Sequence, residues 1–301
     1  MSKTTLSSGI NQPIVFFGTE EHSLIALRGL VDAGLPIAAV VTKPDAAKGR
    51  GKKLTPPAVK VYADAHSIAV WQPTRLKEIT EDIKKLDNPI GVLVSYGKII
   101  PKKTLEVFTP GIINVHPWLL PKYRGPSPIE SAIVNRDNKT GVTIMRLISA
   151  MDAGPIYQQV PYVLDFTETK PELYNTLFTL GTHLLISKLP AIVSGELQPM
   201  PQDDNNATYC ALLSKEDGDL DLTTLTPGEA EARVRGYLGY PRTRVTIGNH
   251  TIIITKAHGV MTQKTPLDLM CANGAFLSID ELIAPSGKTI SAAEFLRGYS
   301  L

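Results

Sequence analysis

The first half of the chain alternates short, continuous apolar runs with segments in which apolar residues recur at helical spacing. Such runs, rich in β-branched and aromatic residues, are typical of strands that are buried on both faces of a parallel sheet. The runs cover residues 14–17, 37–42, 68–73, 90–97 and 111–116. The helical segments between them cover residues 22–34, 56–66 and 75–86. The alternation predicts β-α-β units and an α/β fold.

Two further apolar segments, residues 141–147 and 155–164, predict strands on either side of the loop SAMDAG. A long helix is predicted over residues 170–194. Together these elements predict an open, doubly wound, mostly parallel sheet over the first 195 residues. Ligands of such sheets bind beyond the carboxyl ends of the strands, so functional residues are expected there.

The rest of the chain has a different pattern. Residues 196–209 are rich in Pro, Asn and Asp and are interpreted as a linker. A helix over residues 227–236 and several short strands separated by glycine-containing turns then predict a small barrel. A length of 301 residues suits two domains. We therefore expect a sheet domain over 1–195 and a barrel domain over 210–301.

Composition indicates the cellular compartment of the protein and where its positive charge lies. The N-terminus lacks the pattern of a signal peptide, and no apolar run reaches the roughly 20 residues of a membrane helix. The two cysteines, Cys210 and Cys271, give neither a disulfide framework nor a CxxC metal spacing. A protein of the reducing cytoplasm, without a membrane partner, is therefore expected. Net charge is +2, and much of the positive excess lies in one stretch, KPDAAKGRGKK, over residues 43–53. We call residues 43–53 the basic tongue.

The strand ends carry the candidate chemistry. The first strand ends with one glycine, without the GxGxxG of dinucleotide folds, and the chain has no GxxxxGK[ST]. Asn114 and His116 lie two residues apart at the end of a predicted strand and should project to the same side. An amide and an imidazole there can polarise a carbonyl and move a proton. Alternatively, His116 only hydrogen-bonds the loop that follows it.

Asp152, in the loop SAMDAG, is the candidate carboxylate that orients His116 or a water molecule; alternatively, it is a turn residue. No serine or cysteine nucleophile accompanies these residues in sequence, so the nucleophile is expected to come from the substrate, as in acyl transfer to an amine. The six histidines show no metal-ligand spacing, and no metal is expected.

Two segments, NVHPWLLPKYRGPSPIESAI and MDAGPIY, resemble the signatures of folate-dependent formyltransferases. Within that superfamily, VVTKPDAAKGRGKKLTPPAVKVYA and TYCALLSKEDGDLDL are similar to the branch that acts on aminoacylated tRNA. The resemblance covers residues 13–301. It implies a formyltransferase-type Rossmann-like sheet with a C-terminal OB-like barrel. It also implies transfer of a formyl group from 10-formyltetrahydrofolate to the α-amino group of methionine on initiator Met-tRNA. We expect the protein to be a monomer.

The resemblance also implies roles for matching positions. Asn114, His116 and Asp152 would be catalytic. Two segments would hold the folate: Trp118, Leu119, Leu120 and Pro121 after one strand, and Val94, Ser95, Tyr96 and Gly97 after another. Many relatives have serine where this chain has Trp118.

Basic residues are the candidate tRNA contacts, because contacts to phosphates are largely independent of sequence. The candidates are Lys48, Arg50, Lys52 and Lys53 in the basic tongue and Arg233 and Arg235 on the predicted C-terminal helix. Alternatively, the tongue is a solvated loop.

Three other functions stay open at this stage. The acceptor could be a small amine, such as an amino sugar nucleotide, or it could be water. The chain could instead be a nucleic-acid-binding module with a vestigial sheet, in which case His116 would be dispensable.

Overall fold

The structure, a computed structural model, describes residues 9–48, 51 and 53–300, and of Lys48 only the backbone. It divides into two compact units. The first comprises residues up to Arg124 together with Gly141–Tyr162 and Tyr174–Tyr209, and the second comprises Gly125–Thr140, Val163–Leu173 and the chain from Cys210 onward. The assignment of domains to residues 1–195 and 210–301, with a linker at 196–209, stays a prediction.

The main sheet has seven strands, and the basic tongue contains a separate two-stranded hairpin. In chain order the strands are β1 (Ile14–Gly18), β2 (Ile37–Val41), β3 (Ala46–Lys48), β4 (Lys53–Thr55), β5 (Ala69–Trp71), β6 (Ile90–Val94), β7 (Ile112–His116), β8 (Lys139–Arg146) and β9 (Ile156–Val163). The sheet order is β5-β2-β1-β6-β7-β8-β9, and β3 pairs with β4.

Five neighbouring strands of the sheet, from β5 to β7, run parallel, and β8 is antiparallel to β7. The predicted doubly wound, mostly parallel sheet is therefore confirmed. The hairpin of β3 and β4 was not expected, because nothing in the composition of the basic tongue favours strands. The third helical segment is divided into a 3-10 turn, Leu76–Ile79, and a short α-helix.

The helices in this half of the chain are α1 (Ser23–Asp32), α2 (Ala58–Ala65), α3 (Thr80–Lys84), α4 (Lys102–Leu105), α5 (Pro128–Val134) and α6 (Lys170–Val193). Every residue of β1 and of β7 is buried. Their continuous apolar sequences follow from this double-sided burial. Helix α6 is long and apolar enough to cross a bilayer by length and composition alone. Leu177, Leu185 and Leu189 are nevertheless fully buried inside the protein, as in a core helix.

The second unit is dominated by an antiparallel sheet. Its strands are β10 (Thr243–Ile247), β11 (His250–Val260), β12 (Asp268–Met270), β13 (Phe276–Ile283) and β14 (Thr289–Ser291), and its helices include α7 (Pro227–Gly236) and α8 (Ala292–Gly298). The order is β10-β11-β13-β12, with β14 paired to β13. This half-barrel agrees with the OB-like domain that the sequence predicted. Reciprocal side-chain caps start both helices, from Thr226 and Glu229 and from Ser291 and Glu294.

Gly181 lets α6 approach the strand that carries the candidate histidine. A β-carbon at this position would lie 2.6 Å from Cγ1 of Val115 in β7 and 2.9 Å from Cγ1 of Val142 in β8. Both neighbours are β-branched and buried, so neither can move aside at low cost.

We therefore expect Gly181→Ala to destabilise the protein by about 1–3 kcal/mol, although alanine has the higher helix propensity. The control is Gly298→Ala in α8, where a β-carbon meets no atom within 4 Å. Denaturant unfolding followed by circular dichroism measures both. Equal stability of the two variants would show that the contact between α6 and β7 tolerates a methyl group.

Candidate active site

Asn114 and His116 end β7, in the middle of the main sheet. Asn114 pairs with Leu93 of β6 on one side and with Met145 of β8 on the other, and His116 lies opposite Thr143. Each of the two is only 6% exposed. The sheet thus places an amide and an imidazole together at the carboxyl end of a buried strand, as the sequence predicted.

His116 faces the carboxylate of Asp152 across a short gap. Nδ1 of His116 lies 3.9 Å from Oδ1 of Asp152, which is close enough for charge interaction but too long for a direct hydrogen bond. The opposite ring nitrogen, Nε2, is buried and has no hydrogen-bond partner among the described residues. The alternative interpretation was that His116 only hydrogen-bonds the loop that follows it. Among the described residues, its side chain makes no such hydrogen bond.

The surroundings of His116 keep the imidazole neutral. Burial lowers the pKa of His116 below its usual value, and the field of Asp152 raises it by a smaller amount. A neutral imidazole with Nδ1–H toward the carboxylate leaves its lone pair on Nε2. The site can accordingly accept a proton at Nε2 at neutral pH, and Asp152 can stabilise the imidazolium that results.

The segment after β7 is fixed by polar side chains of the two following strands. Oγ1 of Thr143 in β8 donates to the carbonyl of Trp118 and accepts from the N–H of Leu120. Nε2 of Gln159 in β9 donates to that hydroxyl and to the carbonyl of Leu120, both at 2.8 Å. These anchors, which the sequence did not reveal, give the predicted folate loop of Trp118, Leu119, Leu120 and Pro121 a single backbone path.

Trp118 is buried in that segment. Its side chain is 3% exposed, and its ring centroid lies 4.8 Å from that of Tyr123. Its indole Nε1, like Nε2 of His116, is buried without a hydrogen-bond partner in the described part of the chain. A buried donor of this kind usually indicates a missing partner, here a ligand or a water molecule.

The end of β6 lies beside the end of β7. Val94 and Tyr96 are fully buried, and the Tyr96 ring packs against Phe17 with centroids 5.7 Å apart. Ser95 and Gly97 have positive φ angles of 48° and 69°, so the chain turns sharply here and ends the strand at Val94. Of the four residues in this segment that were predicted to hold folate, Ser95 and Gly97 remain accessible to a ligand.

Lys43 places a cation at the same sheet edge, and sequence analysis did not single it out from the other lysines of the basic tongue. Its Nζ lies 3.5 Å from a carboxylate oxygen of Glu20 and would be 2.6 Å from a β-carbon at Gly97. Its backbone N–H donates to Oγ1 of Thr19. The ammonium group of Lys43, partly neutralised by Glu20, therefore lies where the ends of β1, β2 and β6 meet.

Two further residues that the sequence did not reveal connect the site loops. The side chain of Gln202, in the predicted linker, donates to the carbonyls of Asp152 and Gly154, each at 2.7 Å. The guanidinium of Arg124 donates to Oε1 of Gln202. Arg124 stands in the quoted motif PKYRG, but no motif marks Gln202, since its partners are backbone atoms.

The predicted tRNA contacts differ in their surroundings. Lys48 and Lys53 are paired in the hairpin of β3 and β4, and the side chain of Lys53 is exposed, whereas Arg50 and Lys52 lie outside the described residues.

The two arginines of α7 are less available. Arg235 is engaged inside the second unit by the carboxylate of Glu231 and the carbonyl of Glu168. Arg233 is half-buried, and its own carbonyl accepts from Thr243. Their role in binding tRNA stays a prediction.

In the described ranges of the chain, no group of three His, Cys, Asp or Glu residues is arranged to hold a metal ion. The groups that the site offers for chemistry are the amide, the imidazole and the carboxylate.

Comparison with known proteins identifies relatives over nearly the whole chain. The family described as formyl transferase matches residues 14–189. A methionyl-tRNA formyltransferase from Myxococcus xanthus is 35% identical over 301 residues, which is 96% of this chain and 95% of the relative. Another, from Geobacillus sp., is 37% identical and covers 95% of this chain and 94% of the relative.

Solved structures share the fold at lower identity. An N-formyltransferase from Helicobacter canadensis, in complex with folinic acid and dTDP-3-aminofucose, has a TM-score of 0.68 and 18% identity, and the match covers 90% of this chain and 99% of that one. HypX from Aquifex aeolicus, in complex with tetrahydrofolic acid, has a TM-score of 0.64 and 14% identity over 95% of this chain and 48% of that one. At these identities the likeness concerns the fold. Given the sequence relatives, the chain belongs to the formyl transferase family and, within it, to the methionyl-tRNA formyltransferases.

Proposed function

We propose that this enzyme transfers the formyl group of 10-formyltetrahydrofolate to the α-amino group of methionine on initiator Met-tRNA, for translation initiation. The observation that carries the proposal is identity of 35–37% with methionyl-tRNA formyltransferases over about 95% of both chains. We further propose that it acts as a monomer in the cytoplasm.

The site residues fit a folate co-substrate. Nε2 of His116 and Nε1 of Trp118 are buried polar atoms without hydrogen-bond partners in the described chain. His116 is the last residue of β7, and Trp118 lies two residues after it. A ligand with carbonyl oxygens and ring nitrogens can satisfy them. The exposed backbone at Gly97 offers a neighbouring contact for the same ligand. The formyl donor supplies an electrophilic carbonyl carbon.

Each catalytic group then has one task. The amide of Asn114 donates a hydrogen bond to the formyl oxygen as negative charge develops on it. Nε2 of His116 takes the proton that the attacking amine loses, and it returns this proton to the folate nitrogen when the bond between the formyl carbon and that nitrogen breaks, so tetrahydrofolate is the leaving group. Asp152 stabilises the imidazolium, because its carboxylate lies 3.9 Å from Nδ1. The three residues thus stabilise the tetrahedral intermediate and move protons, and the nucleophile is the substrate amine.

The first test is formylation of Met-tRNA by the purified protein supplied with 10-formyltetrahydrofolate. We expect formyl-methionine from the wild type and a loss of about 10²–10⁴-fold in kcat for His116→Ala, since general base catalysis is removed. His183→Ala, at an exposed position of α6, is the matched control. Absence of formyl-methionine from the wild type would overturn the proposal. Formate release without an amine would indicate a hydrolase, and formylation of an amino sugar nucleotide alone would indicate a small-amine acceptor.

The second test concerns pH. The pKa of His116 is lowered by burial, so kcat should stay constant as pH falls to about 6.5 and decline only below that value. Asp152 raises this pKa, so Asp152→Asn should move the acid limb to lower pH while it reduces kcat. The measurement is kcat at saturating substrates from about pH 5 to 8. An acid limb that stays in place in Asp152→Asn would mean that another group sets it.

The third test concerns the basic tongue. Replacing Arg50 and Lys52 by alanine should raise KM for tRNA and reduce the slope of log KM against log salt by roughly 0.7–0.9 for each phosphate that the protein no longer neutralises. The control is Lys84→Ala with Lys85→Ala, at the end of α3 and the residue after it, which removes the same charge from an exposed surface where both lysines already pair with carboxylates. If both double variants keep the wild-type slope, the tongue does not bind phosphates.

A further inference from the structure

Within the first unit, the chain that follows α6 is hydrogen-bonded at two places next to the candidate active site. Met200 exchanges two backbone hydrogen bonds with Ile156, at 2.7 and 2.8 Å, where β9 begins. Further along, the carbonyl of Thr208 accepts the N–H of Arg124 at 2.8 Å, and its hydroxyl accepts the N–H of Tyr123 at 2.9 Å. We call residues 200–209 the strap. It links the loop that bears Asp152 to the segment that follows β7.

Gln202 is the residue through which the strap reaches the Asp152 loop. Its Nε2 donates to the carbonyl of Asp152 and to that of Gly154, two residues further on. Its Oε1 accepts from both Nε and Nη2 of Arg124, at 3.1 and 2.8 Å. Both ends of the amide are therefore satisfied, and only this orientation of the amide satisfies them, since a carbonyl cannot accept from a carbonyl.

Arg124 fixes that orientation. The residue is 3% exposed, and its Nη2 also donates to Oδ1 of Asp204, within the same strap, at 2.7 Å. A planar guanidinium that donates to Gln202, Asp204 and the hydroxyl of Tyr209 has little rotational freedom, so it presents its N–H groups to Gln202 in one direction. Arg124 and Gln202 thus form a rigid bridge from the end of the β7 segment to the Asp152 loop.

The Asp152 loop depends on such support because its backbone is unfavourable by itself. Asp152 has a φ of 47°, in the left-handed region. At Gly154 the chain approaches β8 so closely that a β-carbon would overlap the carbonyl oxygen of Arg146. A conformation of this kind persists only when surrounding contacts determine it. The two hydrogen bonds from Gln202 bracket Ala153 and act on both sides of the strained region.

We propose that Gln202, oriented by Arg124, is a positioning residue that holds the Asp152 loop so that its carboxylate faces Nδ1 of His116. The inference rests on the proposed function, in which Asp152 stabilises the imidazolium of His116. Gln202 touches no reacting atom and acts through Asp152. A segment that the sequence marks as a linker is on this account a part of the catalytic apparatus.

The test compares Gln202→Met with Gln198→Met. Methionine keeps the length of the side chain but can neither donate to the two carbonyls nor accept strongly from Arg124. Gln198 precedes the strap, and its side chain donates to the carbonyl of Gly195, away from the Asp152 loop. We expect kcat to fall about 10–100-fold in Gln202→Met with KM for tRNA unchanged, because a carboxylate displaced by about 1 Å costs this much. Gln198→Met should match the wild type.

Two readouts separate positioning from a general loss of structure. In the Asp152→Asn background, Gln202→Met should cost less than about 2-fold more, because both changes remove the same interaction. Gln202→Glu, which can still pair with Arg124 but cannot donate to the carbonyls, should lose activity as Gln202→Met does, while its circular-dichroism spectrum stays that of the folded wild type. Full additivity with Asp152→Asn, or wild-type kcat in Gln202→Met, would overturn the proposal.

An NMR titration of His116 tests the positioning role of Gln202 without requiring that the enzyme turn over. In the described part of the chain, Asp152 is the charged group whose field acts on the His116 imidazole. With ¹³C-labelled histidine, the resonance of His116, assigned through His116→Ala, should titrate at lower pH in Gln202→Met than in the wild type, and Gln198→Met should leave it in place. An unshifted His116 resonance in Gln202→Met would refute positioning, whether or not the wild type formylates Met-tRNA. Absence of formylation alongside a shifted resonance would refute only the proposed function.

Discussion

The burial of one imidazole at the end of β7 is the constraint around which the first unit is arranged. β7 has β6 on one side and β8 on the other, and α6 packs closely on its Val115 through Gly181. A polar side chain at the end of such a strand cannot reach bulk water and must be satisfied by the protein or by a ligand. Nδ1 of His116 lies in the electrostatic field of the Asp152 carboxylate, whereas Nε2 has no hydrogen-bond partner in the described residues. The asymmetry gives the two ring nitrogens different roles.

The same burial determines how the proton can move. Desolvation lowers the pKa of His116, so the ring is a neutral base before the amine attacks. Once the ring is protonated, desolvation destabilises its positive charge. Among the described residues, the carboxylate of Asp152, 3.9 Å from Nδ1, stabilises that charge. The position of Asp152 therefore matters more after proton transfer than before it. A carboxylate that must lie at a fixed distance from the imidazole needs a rigid loop. Three features make this loop rigid: the left-handed backbone of Asp152, the close approach of Gly154 to β8, and the hydrogen bonds from Gln202.

The sequence predicts the parts of this arrangement that local patterns encode. Doubly buried strands give continuous apolar runs, so β1, β2, β6 and β7 were recognisable, and two-residue spacing placed Asn114 and His116 on one side. It could not recover contacts made by backbone atoms or by residues distant in sequence. Thr143 and Gln159 hold the Trp118 segment through its carbonyls and N–H groups, and a carbonyl leaves no mark on composition. For the same reason Gln202 was assigned to a linker, since Pro, Asn and Asp around it suggest a loop whether or not that loop is fastened.

The family resemblance implies serine in many relatives at the position of Trp118, and the structure gives a physical reason why the larger residue is accommodated. Its ring packs on Tyr123, whose own N–H is held by Thr208 in the strap. The Trp118 carbonyl is bound by Thr143, so the backbone of the segment is anchored independently of the side chain. The indole therefore packs in a segment whose backbone is held by contacts of its own. The indole N–H is buried without a partner in the described residues, and a ligand in the neighbouring site can accept from it. Tryptophan at this position can only donate, whereas a serine hydroxyl could both donate and accept.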